Sequence, residues 1–286
     1  MSGCMSSGPT NTVSETSQTT KCALPSSVGD SSSQTITQSY PYNVNGQKGS
    51  IELTLNKQLS DYFACRSDEI GPSKTIQKNT TTCFLGSCKS SNLTTRVDRP
   101  MELINESKKY SALKPLIDAI KSKSTDPSMQ ARIAINLVQH IPPNCSKDKF
   151  ITASNYQSNA HFSSPYEVLY ENTGICTDKS ALLASLLNDL GYESAYIEFY
   201  DTDMHAMAGI GGSGNDQYQN TGFILIETTN PFPIGFVSKD IEHPMTNLLK
   251  LSGGSKFYLN NQDHLDIERV YVTNDFNQRY GYQTAC

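Results

Sequence analysis

The chain has 286 residues, enough for one large or two small domains, with a net charge of −5. It has 23 Lys and Arg against 28 Asp and Glu, and no lysine- or arginine-rich block, which argues against a nucleic-acid partner. Hydrophobic residues make up 36%, Trp is absent, and no stretch approaches the apolar length of a membrane helix.

Residues 1–36 are Ser, Thr, Gly, Pro and Gln with few apolar residues and no periodicity. They cannot bury enough surface to fold and are expected to be a flexible tether or a dispensable tail. No signal-peptide apolar region is present. Ser2-Gly3-Cys4 nevertheless resembles the end of a lipoprotein signal, which would make Cys4 a membrane tether; an incidental cysteine in a tail is the equal alternative.

Residues 38–42 and 50–55 read as two strands around a turn region, followed by a short helix over 57–65. Residues 67–100 look loop-rich and are expected to be irregular, stapled by disulfides. Helical spacing then covers 100–109 and 113–122. Asp126-Pro127-Ser128 reads as the N-cap and N1 of a longer helix ending before Pro142-Pro143. Gln139 lies near its end.

Ser164-Pro165-Tyr166-Glu167 opens a short helix that leads to the turn at Gly174. Cys176 follows, and Leu182, Leu183, Leu186, Leu187 and Leu190 form one apolar helical stripe, stopped by Gly191. Cys176 therefore sits at a helix start, where unpaired N–H groups favour a thiolate and can hold an oxyanion. Asp178 is read as a first-turn residue favoured by the helix dipole. Strands are expected over 194–200, 204–210 and 223–228, with a Gly-rich turn at 211–216. His205 starts the second strand. Glu227 ends the third and, as a carboxylate on an apolar face, needs a partner; His205 on the neighbouring strand is the obvious one. Asn230 is a rival for that role. The segments 257–259 and 269–272 are expected as edge strands. His140, His161, His243 and His264 carry no motif and read as surface or structural residues.

Besides Cys176 and Cys4, six cysteines remain: Cys22, Cys65, Cys83, Cys88, Cys145 and Cys286. An even set allows many pairings, and sequence does not choose among them; Cys83–Cys88, closing a short loop across Gly86, is the favoured first pair. No zinc spacing or calcium-loop pattern is evident, so no cofactor or metal is expected. The cysteines point to an oxidising, extracytoplasmic setting, secreted or lipid-anchored, and the sequons at Asn79, Asn92, Asn105 and Asn144 agree with a surface location.

The segments Ser164-Pro165-Tyr166-Glu167-Val168-Leu169, Gly174-Ile175-Cys176-Thr177-Asp178-Lys179-Ser180, His205-Ala206-Met207-Ala208-Gly209-Ile210 and Glu227-Thr228-Thr229 resemble the transglutaminase-like branch of the papain-like cysteine enzymes. The prokaryotic, often archaeal, extracytoplasmic members are the most similar. The family commonly has Asp before the Cys, where Ile175 stands here, and Asp as third member, where Glu227 stands. The resemblance implies an α+β fold with the Cys-bearing helix packed on an antiparallel sheet. It implies one domain over 37–286: a β-containing extension (37–110), a catalytic core (111–250) and a C-terminal tail (251–286). It implies a Cys176–His205–Glu227 triad, with Gln139 as candidate oxyanion donor and Tyr156 and Gln157 as weaker ones.

The reaction expected is attack of Cys176 on an amide of a peptide or protein, through a thioester, with His205 as base and acid. Water as acceptor gives a peptidase or amidase. An amine gives a cross-linking acyltransferase, and a catalytically idle binding or structural domain is the third reading.

Overall fold

The computed structural model describes residues 22–24, 34–71, 74–84, 87–144, 161–199, 205–237 and 245–273. Cys4, Cys145, Tyr156, Gln157, His243 and Cys286 lie outside them.

Strands β1 (Thr35–Val44) and β2 (Gln47–Asn56) form an antiparallel hairpin. Asn45 and Gly46 close it at φ of 51° and 79°, the pair of left-handed conformations that a two-residue turn between twisted strands requires. Helix α1 (Lys57–Ile70) follows at once, its first turn capped by Asn56, whose side chain accepts from Leu59 N at 3.1 Å. The disulfide Cys22–Cys65 ties the chain's early residues to this helix.

The next segment corrects the expectation of irregular structure over 67–100. Helix α1 continues to Ile70, and β3 (Lys74–Phe84) and β4 (Ser87–Val97) form a long antiparallel hairpin of their own. Its register sets Cys83 opposite Cys88; a sulfur–sulfur pairing there lies outside the described side chains. The segment is polar, but its many threonines are β-branched and favour strands.

Helices α2 (Arg99–Lys109), α3 (Lys114–Lys123) and α4 (Pro127–His140) match the helical spacing. Asp126 caps α4 by accepting from Ser128 N at 2.9 Å. Helix α5 (Pro165–Glu171) is short and closed by a reciprocal cap: Glu167 N donates to Ser164 Oγ and Ser164 N to Glu167 Oε2. Helix α6 (Cys176–Asp189) ends in a Schellman arrangement, with Gly191 N on Asn188 O and Tyr192 N on Leu187 O. Gly191 has φ of 96°, which favours glycine there.

Strands β5 (Ser194–Phe199), β6 (His205–Gly211), β7 (Phe223–Ile226) and β8 (Met245–Leu251) form one antiparallel sheet in the order β7-β6-β5-β8. The leucine stripe of α6 packs on one face, against Ala208, Ile210, Ile224 and Ile226. Ala195, Ile197, Phe199, Met207, Phe223 and Leu225 form a second core on the other. Helices α2, α4 and α5 surround the rest of α6, so residues 177–187 are buried all round. The fold is therefore α+β, with the Cys-bearing helix packed on an antiparallel sheet.

The tail is a second correction. No strand forms at 257–259 or 269–272; α7 (Asn261–Thr273) takes the second of these. A capping pair starts it, with Asp263 N on Asn260 Oδ1 at 3.0 Å and Asn260 N on Asp263 Oδ2 at 2.7 Å. Arg132 of α4 forms a fork with both Asp263 oxygens and stacks on Phe257, which docks α7 against α4. Among the described residues, no helix is long and apolar enough to cross a membrane.

Candidate active site

Cys176 is the first residue of α6, partly exposed and not disulfide-bonded. Two features place it. Gly174 runs against the end of α4: its N–H donates to Pro142 O at 3.2 Å and its carbonyl accepts from Asn144 N at 3.3 Å. A Cβ on Gly174 would lie 3.2 Å from Lys179 Cγ and 3.3 Å from Asp178 Cβ, so a side chain would crowd the turn. Asp178, fully buried, then accepts from Ser163 N at 3.0 Å and Ile175 N at 3.3 Å. It fastens both approaching segments to the helix start. Ile175 supplies no side-chain cap, which leaves the first-turn N–H groups beside the sulfur for an incoming anion.

His205 is the first residue of β6, and Glu227 is the first residue past β7. Strand β7 ends at Ile226, two residues before the expected end. The register pairs Ala208 with Ile226; carried one step further it sets Glu227 beside Met207, on the same face as His205 and diagonal to it. The extra methylene of Glu spans that diagonal. His205 Nε2 and Glu227 Oε2 lie 2.7 Å apart. Cys176 also acts on the imidazole, raising its pKa, and because Glu227 takes Nε2, Nδ1 is the nitrogen left for the sulfur. All three predicted residues are thus brought together.

The second oxygen of Glu227 accepts from Thr228 N, Thr229 N and Thr229 Oγ1, each at 2.8 Å. Burial would raise the Glu227 pKa, but the His205 charge, the His205 hydrogen bond and the two from Thr229 outweigh it and lower it from 4.5 to about 2. Burial likewise opposes the charged form of His205. The Glu227 charge, hydrogen bonds to Cys176 and Glu227, and the Cys176 charge overcome it, so the pKa stands well above the usual 6.5. The site is therefore an imidazole held in one orientation, ready to carry a proton, between a sulfur and a fixed carboxylate.

Gln139 does not stand where an oxyanion donor would. Its Nε2 donates to Glu227 O and to Phe232 O, both at 2.9 Å, so both amide protons are committed to main-chain carbonyls. It is a strut under Glu227, which corrects the sequence-based expectation. Asn230 is buried, but the acceptor on His205 Nε2 is Glu227. His161 bridges Asp68 and Glu167 at 3.1 and 2.8 Å, and His140 bonds the Asn136 carbonyl on its own helix; both are structural.

Two neighbours were not foreseen. Lys179 is fully buried, and its Nζ donates to the carbonyls of Ile141 (2.7 Å), Gln139 (3.3 Å) and Thr229 (3.4 Å). Burial lowers its pKa to about 7, against the upward pull of the Glu227 and Cys176 charges. Ser180 Oγ reaches Ala206 O and Thr228 Oγ1, each at 3.0 Å. The signal in the sequence was a charged residue at a helix position three and four residues before the apolar stripe at Leu182 and Leu183. Among the described residues, the one grouping with metal-ligand spacing is Cys22, Cys65 and Glu69, and its two sulfurs are bonded to each other.

No known protein family matches the chain, and no curated protein matches it. Among solved structures, one described as a "putative cysteine protease" from Cytophaga hutchinsonii is similar at 14% identity, over 66% of this chain and 82% of that chain, with a TM-score of 0.30. A likeness of that size is too slight to assign an activity.

Proposed function

We propose that this protein is an extracytoplasmic cysteine peptidase or amidase of the transglutaminase-like kind, working through Cys176, His205 and Glu227. One observation carries the reading: a partly exposed cysteine at a helix start shares one imidazole with a buried carboxylate that accepts four hydrogen bonds. A merely structural histidine has no use for a sulfur on one nitrogen and a charge on the other. The Cys22–Cys65 disulfide supports an oxidising setting.

His205 Nδ1 takes the Cys176 proton while Glu227 stabilises the imidazolium. The sulfur attacks the amide carbonyl, and the oxyanion meets the Cys176 N–H at the helix start. The imidazolium proton passes to the departing amine, leaving a thioester. Water then attacks the thioester carbonyl as His205 takes its proton. The S–C bond breaks with its pair on sulfur, the acid leaves, and the imidazolium proton returns to the Cys176 thiolate.

A peptide-library digest read by mass spectrometry tests this, with wild type beside Cys176→Ala. New peptide termini formed by the wild type alone are the expected result. Ammonia release with incorporation of an added amine would assign amine transfer instead. Identical products from the two proteins, with no acyl adduct on Cys176, would refute an enzymatic role.

A further inference from the structure

Lys179 lies one helical turn after Cys176 and is wholly buried. An ammonium out of water costs several kcal/mol unless its protons are accepted and its charge is met. The protons are accepted by main-chain carbonyls on two separate pieces of chain, Gln139 and Ile141 at the end of α4 and Thr229 just past Glu227. Gln139 ties the same two pieces in the opposite sense, through Glu227 O and Phe232 O. Ser180 adds a bond to Ala206 O, next to His205. The main chain is thereby fixed at Glu227 and just past it.

The charge is met by the site itself. Glu227 and Cys176 are the negative groups that act on Lys179, and His205 on β6 stands between those two. The other charged groups nearby are occupied: Asp178 by Ser163 N and Ile175 N, Glu167 of α5 by Ser164 N and His161, and His140 of α4 by Asn136 O.

Formal charge over the reacting groups is constant through acylation. It begins as thiol, neutral imidazole and carboxylate. Proton transfer gives thiolate, imidazolium and carboxylate. When the S–C bond forms, the carbonyl π pair moves to oxygen, giving oxyanion, imidazolium and carboxylate. When the C–N bond breaks, its pair stays on nitrogen, which takes the imidazolium proton; thioester, neutral imidazole and carboxylate remain. At every stage one unit of negative charge is left over.

We propose that Lys179 is a positioning residue for this site: its ammonium holds the Glu227 segment against the catalytic helix and supplies the counter-charge that the triad lacks at every step. This rests on the triad proposed above. Because burial has brought its pKa from 10.5 to about 7, the counter-charge is withdrawn as pH rises through neutrality, and the rate falls with it.

Two measurements test the role. In wild type labelled with [13Cε]lysine, one signal is expected to titrate near pH 7, and in Glu227→Gln, which removes the left-over negative charge, that signal is expected to move to lower pH. A wild-type Lys179 signal that titrates with the ordinary lysines would overturn the proposal without any variant having to fold, and a signal that ignores Glu227→Gln would overturn it too. In Lys179→Met, kcat for the library peptide that wild type cleaves best is expected to fall about 10²-fold with KM nearly unchanged, and the falling limb above neutral pH to vanish from the residual rate. Wild-type kcat with an unaltered pH profile in the folded variant would overturn it. Cys176→Ala separates the two claims. If that variant is inactive and Lys179→Met is unaltered, the lysine's role alone fails; if it keeps activity, the triad fails first.

Discussion

Replacing Glu227 by Gln keeps the shape of the side chain and removes its charge. With charge centres ~4 Å apart at an effective dielectric near 20, the Glu227–imidazolium attraction is about 4 kcal/mol. At 1.36 kcal/mol per decade, its loss slows steps that form the imidazolium by roughly 10³-fold. The amide also needs its oxygen for the three donors at Thr228 and Thr229, which turns its NH2 toward His205 Nε2. Nε2 must then accept, the imidazole proton moves to Nδ1, and the nitrogen facing Cys176 can no longer take a proton. Stability changes too. The Glu227 pKa falls from 4.5 unfolded to about 2 folded, so the carboxylate contributes roughly 3 kcal/mol above pH 4.5 that is lost as pH drops toward 2. The matching part on His205, whose pKa is raised, is complete below pH 6.5 and lost as pH rises through the folded value. In Glu227→Gln, the 15N-histidine titration of His205 should move to lower pH and kcat should fall at least 10³-fold. Its stability deficit by urea unfolding should shrink between pH 5 and pH 3. A variant with kcat within tenfold of wild type, or with an unmoved His205 titration, would refute the reasoning.

Gln139→Leu should lower the urea midpoint, because Glu227 O and Phe232 O lose their donor at ~1–3 kcal/mol each; an oxyanion donor would instead cost 10²–10³ in kcat at unchanged stability. Asn230→Ala should leave kcat within about threefold, and a 10²-fold loss would make Asn230 the third member in place of Glu227. Cys65→Ala opens a closure of sequence separation 43 and should cost ~2–4 kcal/mol in urea unfolding. Dithiothreitol should lower the wild-type midpoint by at least as much.

The sequence made α6 legible because its signals are local. Gly174 and Gly191 bracket a leucine stripe, and the cysteine falls at the start by position alone. The neighbouring strands were equally readable, since alternation and turn residues mark 194–226 closely. Where distant contacts decide, the reading failed. Hairpin β3–β4 hid behind Thr, Ser and Asn, whose polarity suggested loop while their branching supports strand. Strand β8 (Met-Thr-Asn-Leu-Leu-Lys-Leu) has helix-forming residues and becomes a strand by pairing with β5. The tail helix was announced by Asn260 and Asp263 three apart, a capping pair that was overlooked. Gln139 and Lys179 show the same limit at the site. Each lies on a recognisable helix, but its role is set by carbonyls that lie, for the most part, far along the chain.

Alkylation of native protein by iodoacetamide, followed by intact mass and peptide mapping between pH 5 and 8, tests the central claim most directly. The account predicts one fast adduct on Cys176 below neutral pH. That adduct should be absent in Cys176→Ala and slowed at least tenfold in His205→Ala, where the imidazole that takes the proton is gone. A Cys176 rate equal to that of the unfolded chain across this range, and indifferent to His205→Ala, would contradict it.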